Sequence, residues 1–314
     1  MTDRPKLILD CDPGLDDAAA LVVAAHYAEL VGVTTVGGNA PLADVTTNAL
    51  LTTQVFDIDV EVHVGAVRPL VAEPRHAPHI HGENGFEGPS LPPVERSVAS
   101  DDAIGFIIET VRATEGIWLV PTGPLTNIAI AIRSAPDILD RIAGISFMGG
   151  SATFGNHTPT AEFNIMVDPE AAAAVMAAPT TIHMAGLDLT HQFVVDDALP
   201  GALRAVGNPG AEMLADLTAA YLDGLQNVRG RRRGGLHDPC AVMALTHPEL
   251  IEATLRPVAV ELSGGLTRGM TVVDQRDGAS DGLVATEPGA VWHGHTLDGA
   301  GALAVLLEAV AARG

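Results

Sequence analysis

Residues 7–21 read LILDCDPGLDDAAAL. Leu7-Ile8-Leu9 is a short apolar run, Pro13-Gly14 is a turn pair, and the chain from Asp16 onward has helical composition. A strand, tight turn and helix in that order put the turn at the carboxyl edge of a parallel sheet, where open α/β folds bind ligands. Asp10, Asp12, Asp16 and Asp17 crowd around that turn. Carboxylates this close repel one another unless a cation sits among them. The stretch therefore predicts a divalent metal site that is also a catalytic site.

Working outward, the rest of the chain alternates strand and helix. Strands are expected at 6–11, 30–36, 60–64, 117–122, 145–148 and 181–185, and helices at 15–27, 41–56, 102–114, from 125, from 169 and at 211–225. Asp101 is a candidate cap for the third helix, and Asp168 with Pro169 for the fifth. A further helix opens at His237-Asp238-Pro239, strands follow near 258–262 and 270–273, and a helix at 298–312 ends the chain. Residues 65–100 and 151–164 read as long loops, which in a compact domain tend to serve function. The expected fold is α/β. A single domain over residues 1–314 has a mainly parallel, Rossmann-like central sheet flanked by helices, with the active site at the C-terminal edge of the strands.

Composition narrows the function. Hydrophobic residues make up 47% of the 314, enough for a sizeable core, and the formal net charge is −22. Such acidity disfavours nucleic acid and anionic membranes as partners and suits a metal cation with a neutral ligand. Cys11 and Cys240, each in an apolar setting, read as packed thiols rather than a disulfide. With no apolar leader and no membrane-length apolar run, the expectation is a soluble cytoplasmic protein.

Three groups carry the chemistry. Asp12 at the strand end and Asp17 in the first helical turn can converge on one hard cation, whereas Asp10, deeper in the strand, suits accepting hydrogen bonds. A helix N-terminus alone would explain Asp16 and Asp17, but not acids on an apolar strand. His237-Asp238 offers a further carboxylate beside an imidazole able to give up a proton near neutral pH, although an Asp helix cap beside a His is common. Glu162-Phe163-Asn164 supplies acceptors and donors for hydroxyl groups, and Asn39 and Asn156 gain meaning only in combination with them. His79 and His81 read as lid residues over a pocket. No EF-hand fits, because its loop would need Glu where Leu21 stands.

Taken together, LDCDPGLDDAAAL at 9–21, TTVGGN at 34–39, HGENG at 81–85, PTGPLTNIA at 121–129, FMGG at 147–150, GNHTPTAEFNI at 155–165 and LHDP at 236–239 resemble the inosine-uridine-preferring nucleoside hydrolase family. The resemblance covers most of the chain, in the family's order. It implies hydrolysis of the N-glycosidic bond of ribonucleosides with one bound Ca²⁺, and a homodimer or homotetramer. It maps the metal ligands onto Asp12, Asp17, Asp238 and the backbone carbonyl of Thr122. It maps the ribose contacts onto Asp16, Asn39, Met148, Asn156, Glu162, Asn164 and Asp238, and the base contacts onto His81 and His237. Asp12 is then the base that takes the proton of the attacking water, and His237 the acid for the departing base. Base preference stays open, because the base-facing segment carries four arginines, Arg229 and Arg231–Arg233, that read either as a solvated loop or as a contact to the base or an anionic substrate.

Two other readings compete. In a haloacid-dehalogenase-type Mg²⁺ phosphatase, Asp10 would be the nucleophile and Asp12 the acid. That chemistry wants a downstream Lys, yet the only lysine is Lys6, and a hydroxyl residue where Gly14 stands. A non-catalytic Ca²⁺- or ribose-binding protein would keep the acids and amides but need no His237.

Overall fold

The computed structural model describes residues 4–276 and 289–313, apart from the side chains of His79 and His81. Its strands, in chain order, are β1 (Lys6–Cys11), β2 (Glu29–Thr35), β3 (Val62–Val64), β4 (Ile117–Pro121), β5 (Gly144–Met148), β6 (Ile182–Ala185), β7 (Val194–Val195), β8 (Gly234–Gly235), β9 (Ile251–Val260), β10 (Thr271–Val273) and β11 (Gly289–Leu297). Nine of them form one sheet in the order β10-β9-β11-β6-β5-β4-β1-β2-β3, and β7 pairs with β8. From β11 to β3 every neighbouring pair is parallel. β9 runs antiparallel to both β11 and β10. The protein is thus a single α/β domain with a mainly parallel sheet, as the alternation of elements predicts.

β1 shows why both faces are covered. Leu7, Leu9 and Cys11 pack into one apolar layer with helices Leu15–Tyr27, Pro209–Arg229, Pro239–Thr246 and Gly299–Ala311. Ile8 points to the other layer, with helices Ala103–Ala113, Thr126–Ser134 and Pro169–Met176. This period-two alternation within an unbroken apolar run is what a strand buried on both faces requires. Both thiols are buried and free. Among the described residues no helix is long and apolar enough to cross a membrane.

The site's position follows from strand order. The chain steps from β1 to β2 and β3 on one side, then returns to place β4 on the other side of β1. The loops after β1 and β4 therefore diverge and open a crevice at the strands' C-terminal ends, the switch point at which such sheets bind ligands.

Several local readings are corrected. The strand expected from Val258 begins at Ile251 and runs through Pro257, opposite Ala290. Pro257 hides it in the sequence because proline normally ends a ladder. β11 escapes detection because His293, Gly294 and His295 interrupt its apolar pattern. The helix expected to stop at Leu225 continues to Arg229, where Gly230 (φ 66°, ψ 21°) ends it in the left-handed region. The cap of helix Ala103–Ala113 is Asp102, which accepts from the Gly105 amide, rather than Asp101. A short helix, Pro78–His81, lies inside the first long loop, and another, Phe163–Val167, closes the second.

Candidate active site

Asp10 is wholly buried and its Oδ1 accepts from Thr34 Oγ1 (2.6 Å) and Asn127 Nδ2 (2.7 Å). It is the supporting acid that its depth in the strand suggests. Burial pushes its carboxyl up to about 7, against the two hydrogen bonds that lower it.

Two residues on, Asp12 lies just past the end of β1 and is also wholly buried. Its Oδ2 accepts from the Asn39 amide (2.6 Å), while its Oδ1, fully buried, has no hydrogen-bond partner. The glycines of the neighbouring motifs exist for this carboxylate: a Cβ on Gly38 would sit 2.0 Å from Oδ2, and one on Gly123 2.6 Å from Oδ1. Asp17, in the first turn of its helix, accepts from the amides of Asp12 and Gly14 (3.2 Å each) and from Thr122 Oγ1 (2.8 Å). Its pull on the helix N-terminus and its place in the acid cluster coexist. Asp238 opens helix Pro239–Thr246 but makes no side-chain cap bond, so capping does not explain it.

Asp16, Asp17 and Asp238 bring carboxylate oxygens within 4.8 Å of one another, all buried. That trio differs from the expected ligand set, which has Asp12 in place of Asp16. Asp12 sits beside it, its carboxyl held well above the usual range by burial and by the charges of Asp17, Asp16 and Asp10. Asp238 is raised likewise by burial, then by Asp16, Asp17 and Asp12. Asp16 and Asp17 are pushed up to about 6, chiefly by burial. No lysine or arginine forms an ion pair with any of the four among the described residues. Buried oxygens of Asp12 and Asp16 without partners, in an all-oxygen donor set with no counter-charge, fit a hard divalent cation. The Thr122 carbonyl, expected as a ligand, faces the same crevice, where it accepts from Asn164 Nδ2 (2.6 Å).

Above the acids lies a cleft of about 880 Å³, counting its open mouth. Asp16, Asn39, Thr122, Met148, Asn156, Glu162, Asn164, His237 and Asp238 all line it. The structure thus gathers these residues from six separate motifs. His81 is the exception, because its side chain lies outside the described residues. Glu162 caps helix Phe163–Val167, accepting from the Asn164 amide (3.0 Å) and from those of Gly150 and Ile165 (3.1 Å each). Asn156 Oδ1 accepts from the Phe163 amide (2.9 Å), so both loop residues are fixed before any ligand binds.

Glu162 gives a prediction with a definite sign. Burial raises its carboxyl from 4.5 to about 7, against the amide hydrogen bonds that lower it. The folded protein then keeps a proton that the unfolded chain releases. The stability this contributes is complete below about pH 4.5 and is lost as the pH rises through about 7. Calorimetric melts of the cation-free protein should fall in temperature across that window, and Glu162→Gln should flatten part of the slope. Identical slopes in parent and variant would refute the assignment.

The other wall of the cleft holds residues that the sequence did not flag. His191, Tyr221, Leu225 and Arg229 line it with His237. His237 Nδ1 pairs with Thr190 Oγ1 (2.8 Å), and its ring lies 5.5 Å from that of His191. Burial, then Arg229 and Arg231, lower the His191 pKa, so its imidazole is neutral at neutral pH. The signal for His191 was its place just past the C-terminal end of β6; Tyr221 had none, being one aromatic in a long amphipathic helix. Of the arginine cluster, Arg232 pairs with Asp197 and Asp223 as a surface loop would, whereas Arg229 faces the cleft.

A family model described as inosine-uridine preferring nucleoside hydrolase matches residues 7–298. An inosine-uridine preferring nucleoside hydrolase of Leishmania major is 43% identical over 277 residues, covering 86% of this chain and 88% of that one. A pyrimidine-specific ribonucleoside hydrolase, RihB, of Escherichia coli is 40% identical over 276 residues, covering 87% and 88%. Among solved structures, a purine-preferring ribonucleoside hydrolase of Gardnerella vaginalis superposes with a TM-score of 0.89 at 30% identity, covering 98% of each chain. A plant nucleoside hydrolase superposes with the same score at 28% identity, covering 98% of this chain and 99% of that one. With the acid cluster, the amide-lined cleft and the switch-point position in place, these matches settle the family: the chain belongs to the inosine-uridine preferring nucleoside hydrolases.

Proposed function

We propose that the protein hydrolyses the N-glycosidic bond of ribonucleosides to ribose and free base, with Asp12 as general base and His237 as general acid. The observation that carries this is the buried Asp12 carboxylate, with one oxygen unpartnered, among the acids beneath a cleft lined by Asp16, Asn39, Asn156, Glu162 and Asn164 together with the imidazoles of His191 and His237. Asp12, Asp17, Asp238 and the Thr122 carbonyl would hold Ca²⁺, with Asp16 turned to the ribose. When bound, the cation supplies the Lewis acidity that makes water nucleophilic near neutral pH.

The chain's own residues do the rest. Asp16, Asn39, Asn156, Glu162 and Asn164 grip the ribose hydroxyls and fix the reacting geometry. Asp12 accepts the proton of the attacking water. As the bond to the base lengthens, positive charge grows on the ribosyl ring, and the surrounding carboxylates stabilise it. The bonding electrons pass to the base nitrogen, which His237 protonates. When the Thr190 hydroxyl donates to His237 Nδ1, the imidazole proton resides on Nε2.

Incubation with a panel of ribonucleosides and their 2′-deoxy counterparts, following base release, tests the reading. Release from ribonucleosides is expected; no release from any of them ends it. His237→Ala should slow inosine hydrolysis roughly 10²–10⁴-fold and spare p-nitrophenyl riboside, whose leaving group needs no proton. Equal losses on both substrates would argue against an acid role.

A further inference from the structure

We propose that Asn48 is a positioning residue: its side-chain amide seats the loop 82–85, and with it the short helix Pro78–His81 beside the cleft, on the turn that opens the acid cluster. The inference rests on ribonucleoside hydrolysis as proposed above and adds a residue from outside the cleft lining.

Asn48 lies within helix Leu42–Val55 and is 2% exposed. A buried amide costs stability unless it is hydrogen-bonded. Here one nitrogen, Nδ2, donates both to the Pro13 carbonyl (2.9 Å) and to the Asn84 carbonyl (2.7 Å). Pro13 stands between Asp12 and Asp16, and Asn84 follows helix Pro78–His81 in the chain. A side-chain amide offers two uncharged donors from a single atom, which Ser, Thr and Asp do not. Asn48 therefore suits the bridging of two carbonyls that lie side by side.

The loop and the turn approach closely where Asn48 joins them. Gly85 has φ 84°, and a Cβ there would sit 2.9 Å from Asn48 Nδ2 and 3.0 Å from the Pro13 carbonyl oxygen. Helix Pro78–His81 has four residues, too few to hold its shape unaided. One end is tied to the Gly38-Asn39 segment: the Ala77 amide donates to the Asn39 carbonyl (3.0 Å), and His76 Nδ1 donates to the Gly38 carbonyl (2.8 Å). The other end is tied through Asn84 and Asn48 to the Pro13 turn. Between these ties, Ile80 lines the cleft.

The role has a kinetic signature. A wall that meets substrate and transition state alike contributes uniform binding, so displacing it raises KM and leaves kcat nearly unchanged. Disturbing the acid cluster would instead lower kcat and weaken Ca²⁺ binding.

Asn48→Leu keeps the size of the side chain and removes both donors. Gly85→Ala leaves Asn48 intact and pushes the loop off the turn, which keeps the proposal testable where the first variant fails to fold. In saturating Ca²⁺, each folded variant should raise KM for its best nucleoside roughly 5- to 100-fold, as loss of two hydrogen bonds does, with kcat near the parent value. Amide hydrogen exchange should quicken across residues 78–86, while helix Leu42–Val55 and β1 keep the parent's rates. Parent-like exchange in 78–86, or a parent-like KM, in either folded variant overturns the proposal. So does a loss confined to kcat with weakened Ca²⁺ binding, which would assign Asn48 to the turn alone. A parent enzyme that releases no base overturns the functional reading beneath, and the exchange rates then still decide whether Asn48 seats the loop.

Discussion

Asp12→Ala should lose turnover by at least the roughly 10²–10⁴-fold that removal of a general base costs, because in the proposed mechanism the same side chain would also help hold the cation. The loss belongs to chemistry and not to folding. Burial and three neighbouring aspartates already disfavour the Asp12 charge, so deleting it relieves repulsion in the cation-free protein. A melting temperature at or above the parent's in cation-free buffer, together with collapsed kcat, is the expected pair of results. Asp12→Asn, which keeps the shape and can still accept from the Asn39 amide, should be nearly as inactive. Near-normal turnover in either variant would remove Asp12 from the mechanism.

Removing the cation should be as severe. Four buried carboxylates without a basic partner are held in the native fold, and a cation bound there stabilises only that fold. At a free concentration a hundred times Kd this amounts to about 2.7 kcal/mol. Chelation should abolish base release and lower the melting temperature, and Ca²⁺ should restore both. An all-oxygen set of carboxylates and a carbonyl favours Ca²⁺ over Mg²⁺, which demands stricter octahedral geometry and keeps its waters. Calorimetric titration should rank the two in that order, and Asp238→Asn should weaken Ca²⁺ binding. Full turnover and an unchanged melt after chelation would show that the acids serve another purpose.

The two experiments separate the readings open at the level of sequence. A binding protein would need the cation but show no turnover for Asp12 to affect. A phosphatase of the Asp10–Asp12 type would depend on Asp10 as nucleophile. Here Asp10 is buried under the sheet edge, one oxygen bonded to Thr34 and Asn127, where no substrate can reach it.

The sequence by itself determined the strand, turn and helix at residues 6–27, the parallel alternation that follows, and the kinds of side chain the chemistry uses. These are local properties, fixed by hydrophobic period, turn residues and charge spacing. It missed β11 and the start of β9, where histidines and Pro257 break the pattern while pairing with neighbouring strands supplies the stability. It stopped the helix at Leu225, because Gln226, Asn227 and Val228 show no apolar stripe, and so left Arg229 in a loop.

Only the tertiary structure decided which acid faces which partner. Asp10 lies on β1 and Asp12 just past its end, two residues on, yet one lies beneath the sheet edge against Asn127 and the other against the Asn39 amide. Sheet register and the reversal of strand order between β1 and β4 set that difference. The packing of the later elements onto that sheet edge draws Thr122 and Asp238 to the cleft above the turn at Pro13-Gly14, and brings His191, Tyr221 and Arg229 into its lining. A side chain's neighbours depend on the order and register of whole strands, which no single stretch of sequence encodes.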